Sequence, residues 1–165
     1  MNSEAVEQAG EQIWQTRNKM DYTTLGLTVG YTVQMLRDGE IYIPEYQPPV
    51  VWTDKKRMRL IESILLDLPI SELFAVKIEE EKWELLDGVQ RLTTLDAFLN
   101  NEIQLKNLET LSKCNGFRFS DLSPLEQEKF ESRGTRVVLL LENVRLETRL
   151  ELFMRINGLD KLPTL

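Results

Sequence analysis

The chain contains no histidine among its 165 residues, and this absence removes several kinds of chemistry at once. Ser-His-Asp triads, Cys-His pairs, histidine-ligated metal sites and HNH-type nuclease centres all require an imidazole. Any reaction catalysed by this chain must therefore use carboxylates, Arg, Lys, Tyr, Thr or a Mg²⁺ ion that arrives with its ligand. We expect no nuclease centre in this chain and no dedicated metal site.

Cysteine and long apolar runs are also scarce. The single cysteine, Cys114, cannot form an internal disulfide, which is typical of proteins from a reducing cytoplasm. No apolar run approaches the roughly 20 residues of a membrane span, and no basic-then-apolar signal sequence opens the chain. We therefore predict a cytoplasmic protein that does not engage a membrane.

Positive charge is outweighed by negative charge, because 27 acidic residues face 20 basic ones and the net charge is −7. This balance disfavours non-specific attraction to nucleic acid, although a local basic cluster could still act. A hydrophobic content of 42% with 28% charged residues is ordinary for a globular chain, and the length suits one domain with a real core.

The predicted elements mix helices and hairpins without a steady βαβ alternation, which favours an α+β fold, a small mixed sheet surrounded by helices. We predict a helical extension over 1–22 and one domain over 23–165. Predicted helices are 1–20, 29–36 after a Thr28 cap, 54–67 after a Thr53 cap, one that follows the turn at 87–88 and includes 92–99, 124–132 after Ser123, and 147–156. Predicted strands are 41–43, 73–78, 83–86 and 137–141, the last one central, with weaker ones at 103–105 and 117–119.

The stretch from Trp83 to Leu95 is predicted to be a strand, a sharp turn at Asp87 and Gly88, and a helix. Gly88 permits a positive φ and a close backbone approach. The helix that follows presents unpaired N–H groups and the positive end of its dipole. Arg91 lies one turn inside, where its guanidinium can grip an anion with two hydrogen bonds. The turn is a candidate phosphate site, and the alternative interpretation of Asp87 is a helix N-cap.

The loop from Pro44 to Pro49 is predicted to be extended, because each residue that precedes a proline is pushed out of the helical region. Tyr46 and Gln47 on this stiff loop are candidate ligand contacts. A plain structural connector explains the same residues equally well.

Basic residues crowd the first two turns of the helix that follows Thr53. Positive charge at a helix N-terminus opposes the dipole and costs stability, which indicates a use such as attracting phosphate or nucleic acid. A solvated face balanced by Asp54 and Glu62 is the alternative. The cluster consists of Lys55, Lys56, Arg57 and Arg59.

Three motifs follow one another at spacings that resemble a known family, over roughly residues 25–165. The central motif is Asp-Gly-Val-Gln-Arg-Leu-Thr-Thr-Leu, where the family has Asp-Gly-Gln-Gln-Arg followed by Leu-Thr-Thr-Leu. The chain is similar to the ParB/sulfiredoxin-like N-terminal domain of GmrSD-type, modification-dependent restriction enzymes. The motifs are Ile43–Gln47 with Trp52, Leu60–Leu65 and Pro69–Ile70; Asp87–Leu95; and Phe153–Gly158 with Leu162.

The resemblance implies a ParB-like fold in which the Gly-x-x-Arg helix start holds nucleotide phosphates. It implies binding and hydrolysis of a nucleoside triphosphate, with Mg²⁺ as its companion, coupled to a nuclease domain or subunit. Asp87 would orient a water or hold Mg²⁺, and Arg91 would neutralise the transferring phosphoryl group. Matched position by position, the implied nucleotide contacts are Tyr46, Gln47, Gly88, Gln90, Arg91, Thr94 and Asn157.

Two positions depart from the family pattern. Val89 stands where the family usually has Gln, and Pro48 stands where it usually has Arg. Loss of a polar contact and a cation from the site would weaken phosphate stabilisation, so we expect nucleotide binding with at most weak triphosphatase activity. The family's histidine-containing nuclease domain is absent, so we expect either an excised domain or a small stand-alone member.

Three functions stay open at this point. The leading one is a nucleotide-binding regulatory domain related to anti-phage restriction. A nucleic-acid-binding or nicking module is the second, supported by the basic cluster at Lys55–Arg59 and opposed by the net charge. The third is a catalytically inactive phage or mobile-element protein that binds a host restriction complex, which Val89 and Pro48 favour.

Overall fold

A five-stranded mixed sheet organises the chain. The computed structural model describes residues 3–17, 21–47, 52–141 and 144–160. The helices are α1 (Ser3–Arg17), α2 (Val29–Arg37), α3 (Asp54–Leu65), α4 (Val89–Leu99), α5 (Pro124–Ser132) and α6 (Leu146–Ile156). The strands are β1 (Tyr22–Thr28), β2 (Ile41–Tyr42), β3 (Leu73–Glu79), β4 (Lys82–Asp87) and β5 (Gly134–Leu140), with 3₁₀ turns at Ser112–Cys114 and Phe119–Asp121.

The strand order is β1-β5-β3-β4-β2, which places β3 in the middle of the sheet. β1 pairs antiparallel with β5, and β3 pairs antiparallel with β4 as the predicted hairpin. β3 runs parallel to β5, and the short β2 runs parallel to β4. The sheet is therefore mixed, and together with the helices it confirms the predicted α+β class. The more detailed likeness to a ParB/sulfiredoxin fold stays a prediction.

The two faces of the sheet are covered unequally. Alternation along β4 sends Leu85 into the large core formed with α2 to α5, while Leu86 points to the opposite face. That opposite face carries a smaller apolar cluster in which Phe153 of α6 packs against Val76 and Leu140. Helix α6 thus covers the back of the hairpin whose second strand leads into the Asp87–Gly88 turn.

Polar caps begin three of the helices as predicted. The side chains of Thr28, Thr53 and Ser123 accept backbone N–H groups from the first turns of α2, α3 and α5. Each bond satisfies a donor that has no partner inside its own helix. Gly158 follows the end of α6 with a φ of +62°, which is the predicted left-handed stop.

Other sequence-based predictions are wrong in detail. β1 was not predicted, although it forms one edge of the sheet. Neither 103–105 nor 117–119 is a strand; backbone bonds join Leu105 to Phe117 and to Gly116, and Phe119 begins a 3₁₀ turn. β5 is an inner strand but lies beside the central one, and its first half alternates between exposed and buried residues.

Helix α1 has no buried residue, and its apolar side chains Val6, Ile13 and Trp14 are all more than half exposed. The domain boundary predicted after residue 22 stays a prediction. Among the described residues, every helix is too short or too polar to cross a membrane.

Candidate functional site

The Asp87–Gly88 turn delivers the backbone directly from β4 into α4. Gly88 adopts φ +103° and ψ 8°, a left-handed conformation that side chains resist. A Cβ atom at this position would lie 2.1 Å from Cδ2 of Leu73, a core residue that is 4% exposed. Glycine is therefore required here both by the backbone angle and by close packing of the turn against β3.

Asp87 is not the N-cap of α4, contrary to one interpretation of the sequence. Gly88 occupies that position, and no side chain in the described part of the chain caps this helix. Asp87 instead accepts a hydrogen bond on Oδ2 from the Arg91 guanidinium at 2.8 Å. This ion pair, with side chains 31% and 11% exposed respectively, fixes Arg91 beside the first turn. The start of α4 therefore has no side-chain cap among the described residues, and its dipole favours an anion there.

A cavity of about 790 Å³ opens in front of this turn. One wall is the turn itself, Asp87 to Arg91, and the facing wall is α3, which contributes Lys56, Arg59 and Ser63. Phe153 and Asn157, at the end of α6, close a third side. The volume is in the range typical of pockets for small ligands, and the turn and α3 both contribute cations to the lining.

Two of the predicted nucleotide contacts, Gln47 and Asn157, line this cavity and also hold it together. The Gln47 side-chain amide donates to the carbonyl of Leu85 and, at 3.2 Å, to that of Leu86. The Asn157 amide donates to the carbonyls of Phe153 at 2.8 Å and Leu86 at 3.4 Å. These bonds tie the preceding loop and the end of α6 to β4, one residue before Asp87.

Gln90 also lines the cavity, and its Oε1 accepts the backbone N–H of Trp52 at 2.9 Å. Thr94 does not line it, because the residue is 0% exposed and its hydroxyl donates to the Gln90 carbonyl at 2.6 Å. A fully buried hydroxyl is out of reach of a ligand, so the structure makes Thr94 a packing residue rather than a nucleotide contact. Pro48 and Leu162, invoked from the resemblance, lie outside the described residues.

Tyr46 is placed behind the cavity, in a polar cluster that was not predicted from the sequence. Its hydroxyl donates to Glu84, and its ring packs edge-on against Phe153 with centroids 5.4 Å apart. Glu84 is only 2% exposed, and it also accepts hydrogen bonds from Tyr42 and Arg149. A buried carboxylate with three donors is well satisfied, and it joins β2, β4 and α6.

Burial and the hydrogen bond to Glu84 raise the pKa of Tyr42 to about 12. The same two causes raise the pKa of Tyr46 still further above its usual value. Both phenols therefore keep their protons at neutral pH and donate to the carboxylate. The only sequence signal for this cluster was a glutamate inside the apolar run Trp83–Leu86.

The basic cluster on α3 divides into two groups. Lys56 and Arg59 line the cavity in front of α4. Lys55 lines a separate depression, which Arg59 also borders. Arg57 is half-buried, and its Nε atom has no hydrogen-bond partner among the residues that the structure describes. No group of three or more acidic or cysteine side chains in the described ranges is arranged to hold a metal ion.

The fold and the cavity define a small α+β domain with a cation-lined pocket at a strand–turn–helix junction. The family of the GmrSD restriction endonuclease N-terminal domain matches residues 32–159, more than half of the chain, and this chain belongs to that family. The predicted relationship to restriction systems is thereby confirmed. None of the curated proteins compared with the chain matches it.

Proposed function

We propose that this chain is the nucleotide-binding, regulatory module of a restriction system, with the phosphates held at the start of α4. The observation that carries the proposal is the N-terminus of α4, which no side chain of the described residues caps and which opens into a cavity large enough for a nucleotide. Glycine at position 88 lets a phosphate approach the backbone N–H groups, and the helix dipole favours negative charge there.

Arg91 adds a charged donor to this site. Its ion pair with Asp87 holds the guanidinium near the helix start before any ligand arrives, so less side-chain entropy is lost on binding. The planar group offers further N–H donors that suit the oxygens of a phosphate. This arrangement supports Arg91 as the main side-chain contact to the nucleotide.

Asp87 is the only carboxylate among the described residues that line the cavity. It would hold a Mg²⁺ ion brought by the nucleotide, or accept the proton of a water that attacks the terminal phosphate. That reaction would release a nucleoside diphosphate and inorganic phosphate. Because Asp87 already binds Arg91 and Val89 offers no polar side chain, we propose that hydrolysis is slow.

The proposed partner is a nuclease domain or subunit, whose activity would respond to the nucleotide state of this module. The family to which the chain belongs supports this partner, since it is named for a restriction endonuclease. DNA is a weaker candidate, because the net charge of −7 disfavours general attraction to nucleic acid.

Calorimetric titration with ATP, GTP, CTP and UTP, with and without Mg²⁺, tests the proposal. We expect at least one to bind, and we expect Arg91→Ala to weaken that binding by roughly tenfold or more, because it removes a charge-assisted contact. Arg37→Ala is the matched control, since Arg37 also pairs with an aspartate, Asp96 at 2.7 Å, but does not line the cavity.

Two results would contradict the proposal. One is the absence of binding by every nucleotide to folded protein. The other is an Arg91→Ala variant that binds as tightly as the Arg37→Ala control. Release of inorganic phosphate from the bound nucleotide, measured in the same samples, would report the rate of hydrolysis.

A further inference from the structure

The cavity is lined by charged side chains from α3 as well as from the central motif at the start of α4. The charge of Arg91 is balanced by Asp87, whose Oδ2 lies 2.8 Å from Nη2 of the guanidinium. The other charged side chains of the lining are Lys56 and Arg59, both exposed and both on α3. The surplus positive charge of the cavity therefore comes from α3 and not from the motif.

Lys56 and Arg59 have no ion-pair partner anywhere in residues 3–17, 21–47, 52–141 and 144–160. The two acidic residues that could have balanced them are engaged elsewhere. Asp54 pairs with Lys106 at 2.6 Å, and the resulting hydrogen bond lowers the pKa of its carboxyl. Glu62 accepts the backbone N–H groups of Thr110 and Leu111 at 3.1 and 2.9 Å. The interpretation of α3 as a charge-balanced surface is therefore wrong for these two cations.

Keeping these cations here has an energetic cost. Lys56 lies in the first turn of α3, where positive charge opposes the helix dipole. The protein as a whole carries a net charge of −7, yet neither of these cations pairs with a carboxylate of the described residues. A ligand that brings several negative charges would offset this cost, and a single phosphate held at α4 would leave the α3 wall unused.

We infer that Lys56 and Arg59 make the site selective for a polyphosphate over a monophosphate, an inference that rests on the proposed nucleotide-binding function. One phosphate lies at the α4 start beside Arg91, and the remaining phosphates of a nucleoside triphosphate lie against Lys56 and Arg59. The α4 start and the α3 wall together select a ligand with several phosphates. Lys55, one residue from Lys56, plays no part because it lines a different depression.

Adjacent lysines on one helix supply the test. Lys56→Ala, Arg59→Ala and Lys55→Ala are titrated with the nucleoside triphosphate that the wild-type protein binds best and with its monophosphate. We expect Lys56→Ala and Arg59→Ala each to weaken triphosphate binding by roughly threefold to tenfold, a range set by the exposure of both side chains. Monophosphate binding should change by less than about twofold, and Lys55→Ala should leave both affinities nearly unchanged.

The outcomes separate this inference from the function on which it rests. Wild-type protein that binds no nucleotide overturns both. If the wild-type protein binds a nucleotide and Lys55→Ala and Lys56→Ala lose equal triphosphate affinity, the attraction is a general electrostatic one. That result overturns the inference alone. Equal losses of triphosphate and monophosphate affinity in Lys56→Ala would do the same. All three side chains are exposed, so we expect each variant to fold, and thermal unfolding checks this for each one.

Discussion

Gly88→Ala is expected to destabilise the protein by about 3 kcal/mol and to abolish detectable nucleotide binding. The new methyl group must adopt φ +103° and lies 2.1 Å from the Leu73 side chain, which the core prevents from moving freely. It also lies 3.3 Å from the Arg91 guanidinium, so the helix start and its ion pair must shift together. Denaturant unfolding gives the loss of stability, and calorimetry gives the loss of binding.

Gly116→Ala is the matched control for this substitution. Gly116 also has a positive φ, +94°, but a Cβ atom there would meet no atom of the described residues within 4 Å. We expect it to cost about 1–2 kcal/mol from backbone strain alone and to leave binding intact. If both variants lost the same stability, close packing at the Asp87–Gly88 turn would have no energetic consequence, contrary to the structure.

Glu84→Ala is expected to cost about 3–5 kcal/mol in the free energy of unfolding. The substitution leaves the Arg149 guanidinium, 18% exposed, without its carboxylate, and leaves the hydroxyls of Tyr42 and Tyr46 without an acceptor. Because Arg149 belongs to α6, the loss should also loosen the helix that brings Asn157 to the cavity. Chemical denaturation measures the first effect, and hydrogen exchange of α6 amides measures the second.

Glu151→Ala provides the comparison, since Glu151 pairs with Arg155 on the exposed side of the same helix. Exposed pairs contribute little, so we expect a change within about 0.5 kcal/mol. Replacing both Glu84 and Arg149 with methionine should recover much of the loss, because no unpaired buried charge is then left. A Glu84→Ala variant as stable as Glu151→Ala would show that the buried cluster does not hold α6 in place.

Local signals predicted the parts of the fold that depend on local chemistry. Thr28, Thr53 and Ser123 each begin a helix because a short hydroxyl side chain can accept an orphan N–H group, and that requirement is visible in the sequence. Gly88 was likewise predicted to take a positive φ. The hairpin from β3 to β4 followed from two apolar runs separated by a charged turn.

The partners of individual polar side chains could not be predicted in the same way. Aspartate is a residue type that is common at helix N-caps, and only the structure shows that the carboxylate of Asp87 accepts from Arg91 instead. The partner of Glu84 is 65 residues away at Arg149, and nothing in either local sequence joins them. Which lysine of the Lys55–Lys56 pair faces the cavity depends on how α3 is rotated against α4, and tertiary packing sets that rotation.

Phosphate binding at the start of α4 can be observed residue by residue, from backbone amide chemical shifts measured by NMR during a nucleotide titration. We expect the amides of Gly88, Val89 and Gln90 to shift first and furthest, and Arg91→Ala to reduce those shifts at equal ligand concentration. Shifts confined to other surfaces, or none at all in folded protein, would contradict it.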